Sequence, residues 1–295
     1  MGTIHVGIAG WSYPDWAGIV YPATRPRGFS ELAYLSRYVD AMEINSTFYR
    51  PAAPASADKW LRHVEDRPDF LFTAKLWQRF THQREQAWSD RDVRQVADGM
   101  EPLREAGRLG ALLMQFPWSF KASDAERDWL ARLSDAFRPF PCVVEVRHSS
   151  WDNEDSRDFL KRQGLNFCNI DQPQIGASIG PTNVATGPVA YYRFHGRNAK
   201  AWFDPEAGRD NRYNYLYQPA ELAPWVDDIR QMVDRAQRLF VMTNNHYQGQ
   251  EVVNALQLKA ALEDRRVPAP APLVERFPVL REIAEPMVGQ GRLGF

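Results

Sequence analysis

The chain has 295 residues, 44% of them hydrophobic and 25% charged, with a formal net charge of −1. This is the balance of a soluble globular protein with one large domain or two small ones. It supplies no global field that would draw the chain to nucleic acid or an anionic membrane, although a local basic patch is compatible with it. Two cysteines, Cys142 and Cys168, make neither a disulfide framework nor a metal knuckle, and both lie in apolar runs that suit small buried thiols. No apolar run approaches the roughly 20 residues of a membrane span, and "MGTIHVGIAGW" lacks the basic and apolar regions of a signal peptide. The expectation is a cytoplasmic protein.

In chain order, eight strand-like runs alternate with helical patterns. They are "IHVGIAGW" (4–11), "AMEINSTFY" (41–49), "FLFTAKLW" (70–77), "GALLMQFP" (110–117), "CVVEVRH" (142–148), "NFCNID" (166–171), "VAYYRFHGR" (189–197) and "RLFVMTNNH" (238–246). Helices are expected near 30–39, 56–66, 90–107, 124–136, 154–163, 223–237 and 251–264, with Ser56 and Ser89 as N-caps and Ser123 with Glu126 as a capping box. Eight regular repeats point to an α/β fold, a single (β/α)8 barrel, rather than to a doubly wound sheet. The sixth connection, 172–188, is rich in Gly and Pro, so no helix is expected there. The seventh, 198–222, is long and aromatic and is expected to act as a lid over the mouth. The barrel is assigned to residues 1–265, and the Pro-rich segment 266–295 is expected to wrap the same domain.

With the more apolar face of each strand turned to the helices, the other face points into the barrel. Glu43, Asn45, Thr73, Lys75, Gln115, Glu145, Arg147, Asn169, Asp171, Arg193 and His195 then point inward, and one of Asn244 and Asn245 joins them. Cys168 and Ile170 point outward. Polar residues thus gather at the C-terminal ends of the strands, where barrel enzymes hold their sites. Purely structural salt bridging would also fill such a space, but ion-pair networks are a poor way to gain stability.

The motifs "GIAGWSYPDWAGIVYP" (7–22), "MEINSTFYR" (42–50), "FTAKLWQRFTH" (72–82), "LGALLMQFP" (109–117), "VEVRHSSW" (144–151), "YYRFHGR" (191–197) and "TNNHYQGQEVVNALQL" (243–258) together resemble the domain-of-unknown-function 72, or YecE-like, family. The resemblance covers about residues 4–262 and implies a TIM barrel. It implies no particular reaction. One departure is Val146, where members usually carry Phe, at a position that reads as helix-facing.

The chemistry therefore has to come from the residues. The catalytic candidates are Glu43, Lys75, Glu145, Arg147, Asp171, Arg193 and His195. The ligand-binding candidates are Trp11, Tyr13, Asn45, Tyr49, Gln115, Arg197, Asn244 and Asn245. Glu145, Asp171 and His195, at the ends of neighbouring strands, offer a set for a divalent metal, with Arg147 and Arg193 competing for the carboxylates. Arginine forks suit phosphate, and aromatic residues suit stacking on bases or sugars. The favoured reading is hydrolysis of a phosphoester in a nucleotide or single-stranded nucleic acid. Arg193, Arg147 and Lys75 would stabilise charge, and Glu145 or Asp171 would serve as base or metal ligand. A metal-free enzyme of sugars or sugar phosphates and a non-catalytic binder of a small anionic metabolite are the alternatives.

Overall fold

The structure is a computed structural model that describes residues 1–202, 204 and 211–287. Eight parallel strands close a barrel: β1 (Thr3–Ala9), β2 (Ala41–Ile44), β3 (Leu71–Lys75), β4 (Leu109–Gln115), β5 (Cys142–Glu145), β6 (Asn166–Asp171), β7 (Val189–Phe194) and β8 (Arg238–Thr243). Each pairs with the next, and β8 returns to β1 with Thr3 opposite Arg238 and Ile8 opposite Thr243. Parallel strands covered on both faces need apolar residues on both, which is why the sequence runs are nearly continuous in Val, Ile, Leu and Phe. Among the described residues, no helix is long and apolar enough to cross a membrane.

The helices lie near their expected places, with informative differences at their starts. The first shortens to Glu31–Leu35, capped by Ser30, whose Oγ accepts from Ala33 N at 3.2 Å. The second begins at Pro54, so Ser56 lies inside it and not at its cap; proline at the first helical position needs no hydrogen-bond partner for its nitrogen. Ser89 and Asp92 form a reciprocal capping box at Asp90–Glu105. Ser123 does cap Asp124–Ala136, but Glu126 turns away to pair with Arg84 instead of closing the box. The helix expected from 223 starts at Pro219, because Glu221 reaches back to accept from Gln218 N at 2.9 Å.

No helix follows β6, as expected; residues 172–188 cross as a loop. The helix Gln250–Glu263 is buried on nearly every side, because β9 (Val267–Pro270) and β10 (Ala284–Met287) pair beyond it and the segment between them packs Leu273, Val274 and Leu280 into the core.

Strand pairing fixes which side chains enter the barrel. Ala41 and Glu43, Thr73 and Lys75, Leu113 and Gln115, Val143 and Glu145, Tyr191 and Arg193, and Phe240 and Met242 share the inner face. The lower interior is apolar: Phe240 fills the space left by Gly110 and packs beside Tyr191, with ring centroids 5.8 Å apart.

The sixth strand corrects the sequence reading. Cys168 is paired with Tyr191 and Ile170 with Arg193, so these two face inward, while Asn169 and Asp171 face outward. The outward polar residues have partners waiting. Asn169 Oδ1 accepts from Val184 N at 2.8 Å and Thr182 Oγ1 at 2.9 Å, and Asn169 Nδ2 donates to Val184 O at 3.0 Å. Asn169 thus holds the loop that replaces the missing helix.

Both thiols are buried, Cys142 at 4% exposure and Cys168 at 0%, and burial pushes the Cys142 thiol up to about 12 and Cys168 well above its ordinary value. A thiol-specific chromogenic reagent is therefore expected to find no reactive cysteine in the folded protein and two in urea. One equivalent of fast reaction in the folded state would contradict this packing.

Candidate ligand site at the barrel mouth

Arg193 lies on the axis of the barrel with its side chain fully buried. Its guanidinium engages every N–H it has. Nε donates to Glu43 Oε2 at 3.1 Å and Nη2 to Glu43 Oε1 at 2.6 Å, the two-pronged pairing that a planar fork makes with a carboxylate. Nη2 also donates to Asn244 Oδ1 at 3.1 Å. Nη1 donates to Glu145 Oε2 at 3.0 Å, with Gln115 Oε1 at 3.5 Å. Arginine has five donors and no acceptor, so this set leaves none for a ligand. Arg193 is a positioning residue for the basin and not the phosphate fork expected of it.

The two carboxylates are crowded in turn. Glu43 also accepts from Tyr191 Oη at 2.9 Å, and that hydroxyl lies 3.0 Å from Thr73 Oγ1. Glu145 Oε1 accepts from Arg147 Nη2 at 2.9 Å and Nε at 3.2 Å, and lies 3.0 Å from His195 Nε2. Burial alone would favour protonated Glu145, but Arg193, His195 and Arg147 outweigh it and hold the carboxyl well below the usual range. Burial likewise opposes the charge on Arg193, and Glu43 and Glu145 overcome it.

Asn244 sets the proton on His195. Its Oδ1 accepts from Arg193, so its Nδ2 donates to His195 Nδ1 at 3.0 Å, and the ring proton sits on Nε2 facing Glu145. Burial, reinforced by Arg147 and Arg193, presses His195 down to about 3 against the pull of Glu145.

Lys75 lies at the edge of this lattice. Its amine is 3.9 Å from Glu43 Oε1, beyond hydrogen-bond reach, and 5.6 Å from the centre of the Phe48 ring. Burial, then Arg193 and Arg147, lower Lys75 to about 8 in spite of Glu43 and Glu145. It opens into a cleft of ≈ 320 Å³ lined by Gly10, Trp11, Ser12, Tyr13, Asn45, Ser46, Phe48, Tyr49, Tyr213, Asn244 and His246. Tyr13 stacks on His246 at 4.6 Å, and Tyr213 packs against the same imidazole at 4.9 Å. Asn45 Nδ2 donates to Ala9 O at 2.8 Å, which leaves Asn45 Oδ1 buried without a hydrogen-bond partner among the described residues. Gly10 makes this corner: its φ is +92°, and a Cβ there would lie 2.7 Å from Tyr13 Oη and 2.9 Å from Asn45 Nδ2.

The structure thus brings together Glu43, Lys75, Glu145, Arg147, Arg193 and His195, with Gln115 and Asn244 bonded to them, and lines the neighbouring cleft with Trp11, Tyr13, Asn45 and Tyr49. Three candidates lie elsewhere. Asp171 faces the helices, where it accepts from Arg197 Nη2 at 2.6 Å, Tyr217 Oη at 2.8 Å and Trp225 Nε1 at 2.9 Å. Arg197 is held by Asp171 and Glu221 and does not line the cleft. Asn245 points outward and donates to Tyr215 O and to Asn254 Oδ1, both at 2.7 Å. With Asp171 on the other face of its strand, Glu145, Asp171 and His195 do not converge. Among the described residues no three His, Cys, Asp or Glu side chains gather as a metal site.

The aromatic rim divides in the same way. Trp16 and Trp151 are packing residues, donating to His246 O at 2.8 Å and Phe120 O at 2.9 Å. Within the expected lid, Tyr213 reaches the cleft and Trp202 approaches His195, but Tyr217 is buried against Asp171; residues 203 and 205–210 lie outside the described residues. Tyr191 was missed. Its signal was available, since it precedes Arg193 by two and shares its face.

Fold and basin together define a (β/α)8-barrel protein with a polar lattice beneath an open C-terminal mouth. A family model described as "Protein of unknown function DUF72" matches residues 5–276, and the chain belongs to that family. A curated relative, the UPF0759 protein YunF of Bacillus subtilis (strain 168), is 28% identical over 274 residues, covering 88% of this chain and 95% of YunF. A DUF72 family protein of Thermotoga maritima MSB8, known from its crystal structure, is 35% identical. It superposes with a TM-score of 0.78 over 88% of this chain and 99% of its own. One from Enterococcus faecalis V583, 24% identical, shares the fold with a TM-score of 0.77 over 88% of this chain and 96% of its own.

Two outcomes follow from the lattice. Arg193→Met leaves Glu43 and Glu145 buried without their shared cation and is expected to cost roughly 3–5 kcal/mol in urea unfolding; a loss below about 1 kcal/mol would show that the lattice relaxes freely. The second concerns acid. Folded His195 titrates near 3 and an unfolded imidazole near 6.5, so the unfolded chain binds the extra proton between those values, and stability falls as pH drops through that window. Glu145, depressed when folded, adds to the loss below its ordinary 4.5. The urea midpoint should fall more steeply from pH 7 to pH 5 in the parent than in His195→Asn; equal falls would remove His195 from the account.

Proposed function

We propose that the mouth cleft binds a small ring-bearing sugar or sugar phosphate, and that the protein is an enzyme acting on it with its own side chains rather than a bound metal. The observation that carries this reading is the pairing of Lys75 with Asn45 in an aromatic-walled cleft. Lys75 is an amine 3.9 Å from Glu43 Oε1, beyond hydrogen-bond reach, and Asn45 Oδ1 is a buried acceptor with no hydrogen-bond partner among the described residues. Sugar rings offer apolar faces for Trp11, Tyr13 and Tyr213 and hydroxyls for Asn45. The basin favours an anionic substituent: Lys75, Arg147 and Arg193 carry three formal positive charges against two on Glu43 and Glu145.

Phosphoester hydrolysis in a nucleotide or nucleic acid has less support. Arg193 and Arg197, two of the forks it would use, are already engaged, Arg147 is held by Glu145, and a cleft of ≈ 320 Å³ suits a small molecule better than a strand.

The test is calorimetric titration with a panel of sugars, sugar phosphates and nucleotides. A member of the first two classes should bind, and Lys75→Met and Trp11→Ala should each weaken it about tenfold or more, roughly 1.4 kcal/mol. Asp171→Asn should lower thermal stability and leave that affinity unchanged, because Asp171 serves the outer layer. A panel in which only nucleotides bind, or nothing does, would reject the proposal.

A further inference from the structure

Lys75 differs from the other cations of the basin in what surrounds its nitrogen. Arg193 and Arg147 are fixed by short hydrogen bonds to the two carboxylates, whereas the Lys75 amine lies 3.9 Å from Glu43 Oε1, an oxygen that already receives Arg193 Nη2 at 2.6 Å. The two guanidiniums therefore take the short hydrogen bonds of both carboxylates, which weakens their hold on the Lys75 proton, and they add their own positive charge beside it. The side chain is 15% exposed, and its exposed side is the cleft. A lysine needed only for its charge would be placed in hydrogen-bond contact with an anion. This one stands off Glu43 by 3.9 Å, with the charges of Arg193 and Arg147 and the Phe48 ring beside it.

We propose that Lys75 is a covalent nucleophile, whose amine adds to the carbonyl carbon of an open-chain aldose, ketose or related phosphate held in the cleft. This rests on reading the cleft as a sugar site. The nitrogen lone pair forms the C–N bond while the C=O π pair moves to oxygen, giving a carbinolamine. The C–O bond then breaks, and the two hydrogens of the amine leave with that oxygen as water, so that the products are an imine and one water. No oxidant, reductant or metal is required. Protonated, the imine draws electrons from the adjacent carbon, which is the activation that isomerisation at that carbon or cleavage of the next C–C bond requires.

Two further observations agree. The amine's lowering to about 8 leaves roughly a tenth of it neutral at pH 7. Ser46 and Asn45 line the same cleft, where the Ser46 hydroxyl is placed to hold a carbinolamine hydroxyl.

The test is borohydride trapping. The folded protein is incubated with ribose 5-phosphate, glyceraldehyde 3-phosphate, dihydroxyacetone phosphate or dihydroxyacetone, reduced with cyanoborohydride, and mapped by peptide mass spectrometry. The chain has only six lysines, at 59, 75, 121, 161, 200 and 259, so each is separately scored. At least one probe should modify Lys75 tenfold or more faster than any other lysine. Lys75→Arg, which keeps the charge but forms no imine, should lose the trapped product while still melting cooperatively. Glycerol 3-phosphate and sorbitol 6-phosphate, which have no carbonyl, serve as binding controls. If any phosphate, control or probe, binds the cleft but no carbonyl probe is trapped at Lys75, the covalent role is overturned and the sugar-site reading stands. If no phosphate or sugar binds at all, both fall. Labelling of Lys75 no faster than of the surface lysines would also overturn the proposal.

Discussion

A guanidinium in the middle of a closed barrel has no water to solvate it, so the protein must supply every partner it needs. Arg193 is that group, and the upper half of the barrel is arranged around it. Glu43 comes from β2, Glu145 from β5, Gln115 from β4 and Asn244 from the end of β8, so one side chain on β7 ties together strands from around the whole circumference. The lattice does not need to be strongly stabilising to be decisive. Its members satisfy one another, and removing any of them leaves a buried charge or dipole unmatched.

The same constraint explains why the open cleft lies to one side. The groups that look most catalytic in the sequence, Arg193, Glu145 and His195, are the ones most fully engaged with each other. The neutral imidazole of His195 is fixed between Asn244 and Glu145 and faces Trp202. The residues left with capacity for a ligand are at the margin, where β1, β2, β3 and the end of β8 meet. Lys75 and Asn45 look into the cleft there, and Gly10 leaves room for the Asn45–Tyr13 contact. A saturated interior beside an unsaturated edge is an economical way to place an unusual amine.

Much of this was legible in the sequence. Eight apolar runs gave the barrel, and their alternation placed Glu43, Lys75, Gln115, Glu145, Arg147, Arg193 and His195 on the inner face. The rule failed at β6 for a physical reason. It equates polar with inward because it assumes that an apolar helix covers the outer face. After β6 there is no helix; residues 172–188 cross instead, and their backbone needs polar partners, which Asn169 supplies. Asp171 is outward because Trp225 of the next helix and Tyr217 of the preceding loop bring donors to it. Asn244 and Asn245 could not be separated by sequence, since adjacent asparagines of the same chemistry take opposite orientations, Asn244 bonded to Arg193 and His195 inside and Asn245 donating to Tyr215 O and Asn254 outside. Nor could spacing show that Arg197 would be claimed by Asp171, a residue on a neighbouring strand.

The seam between β1 and β8 has a consequence for how the protein is made. These strands lie at opposite ends of the barrel sequence, and across their junction Trp16 donates to His246 O, Gln248 N donates to Asp15 Oδ2 at 2.7 Å, and the Tyr13 ring lies on that of His246. A chain that emerges from the ribosome N-terminus first can assemble seven strands and still have no wall on that side of the cleft. Arg193 would then lack Asn244, and His195 would lack the bond that sets its tautomer. Until β8 pairs with β1, the basin lacks that wall and the largely buried surroundings of Lys75 are incomplete. Closure of the barrel and completion of the cleft wall are the same step.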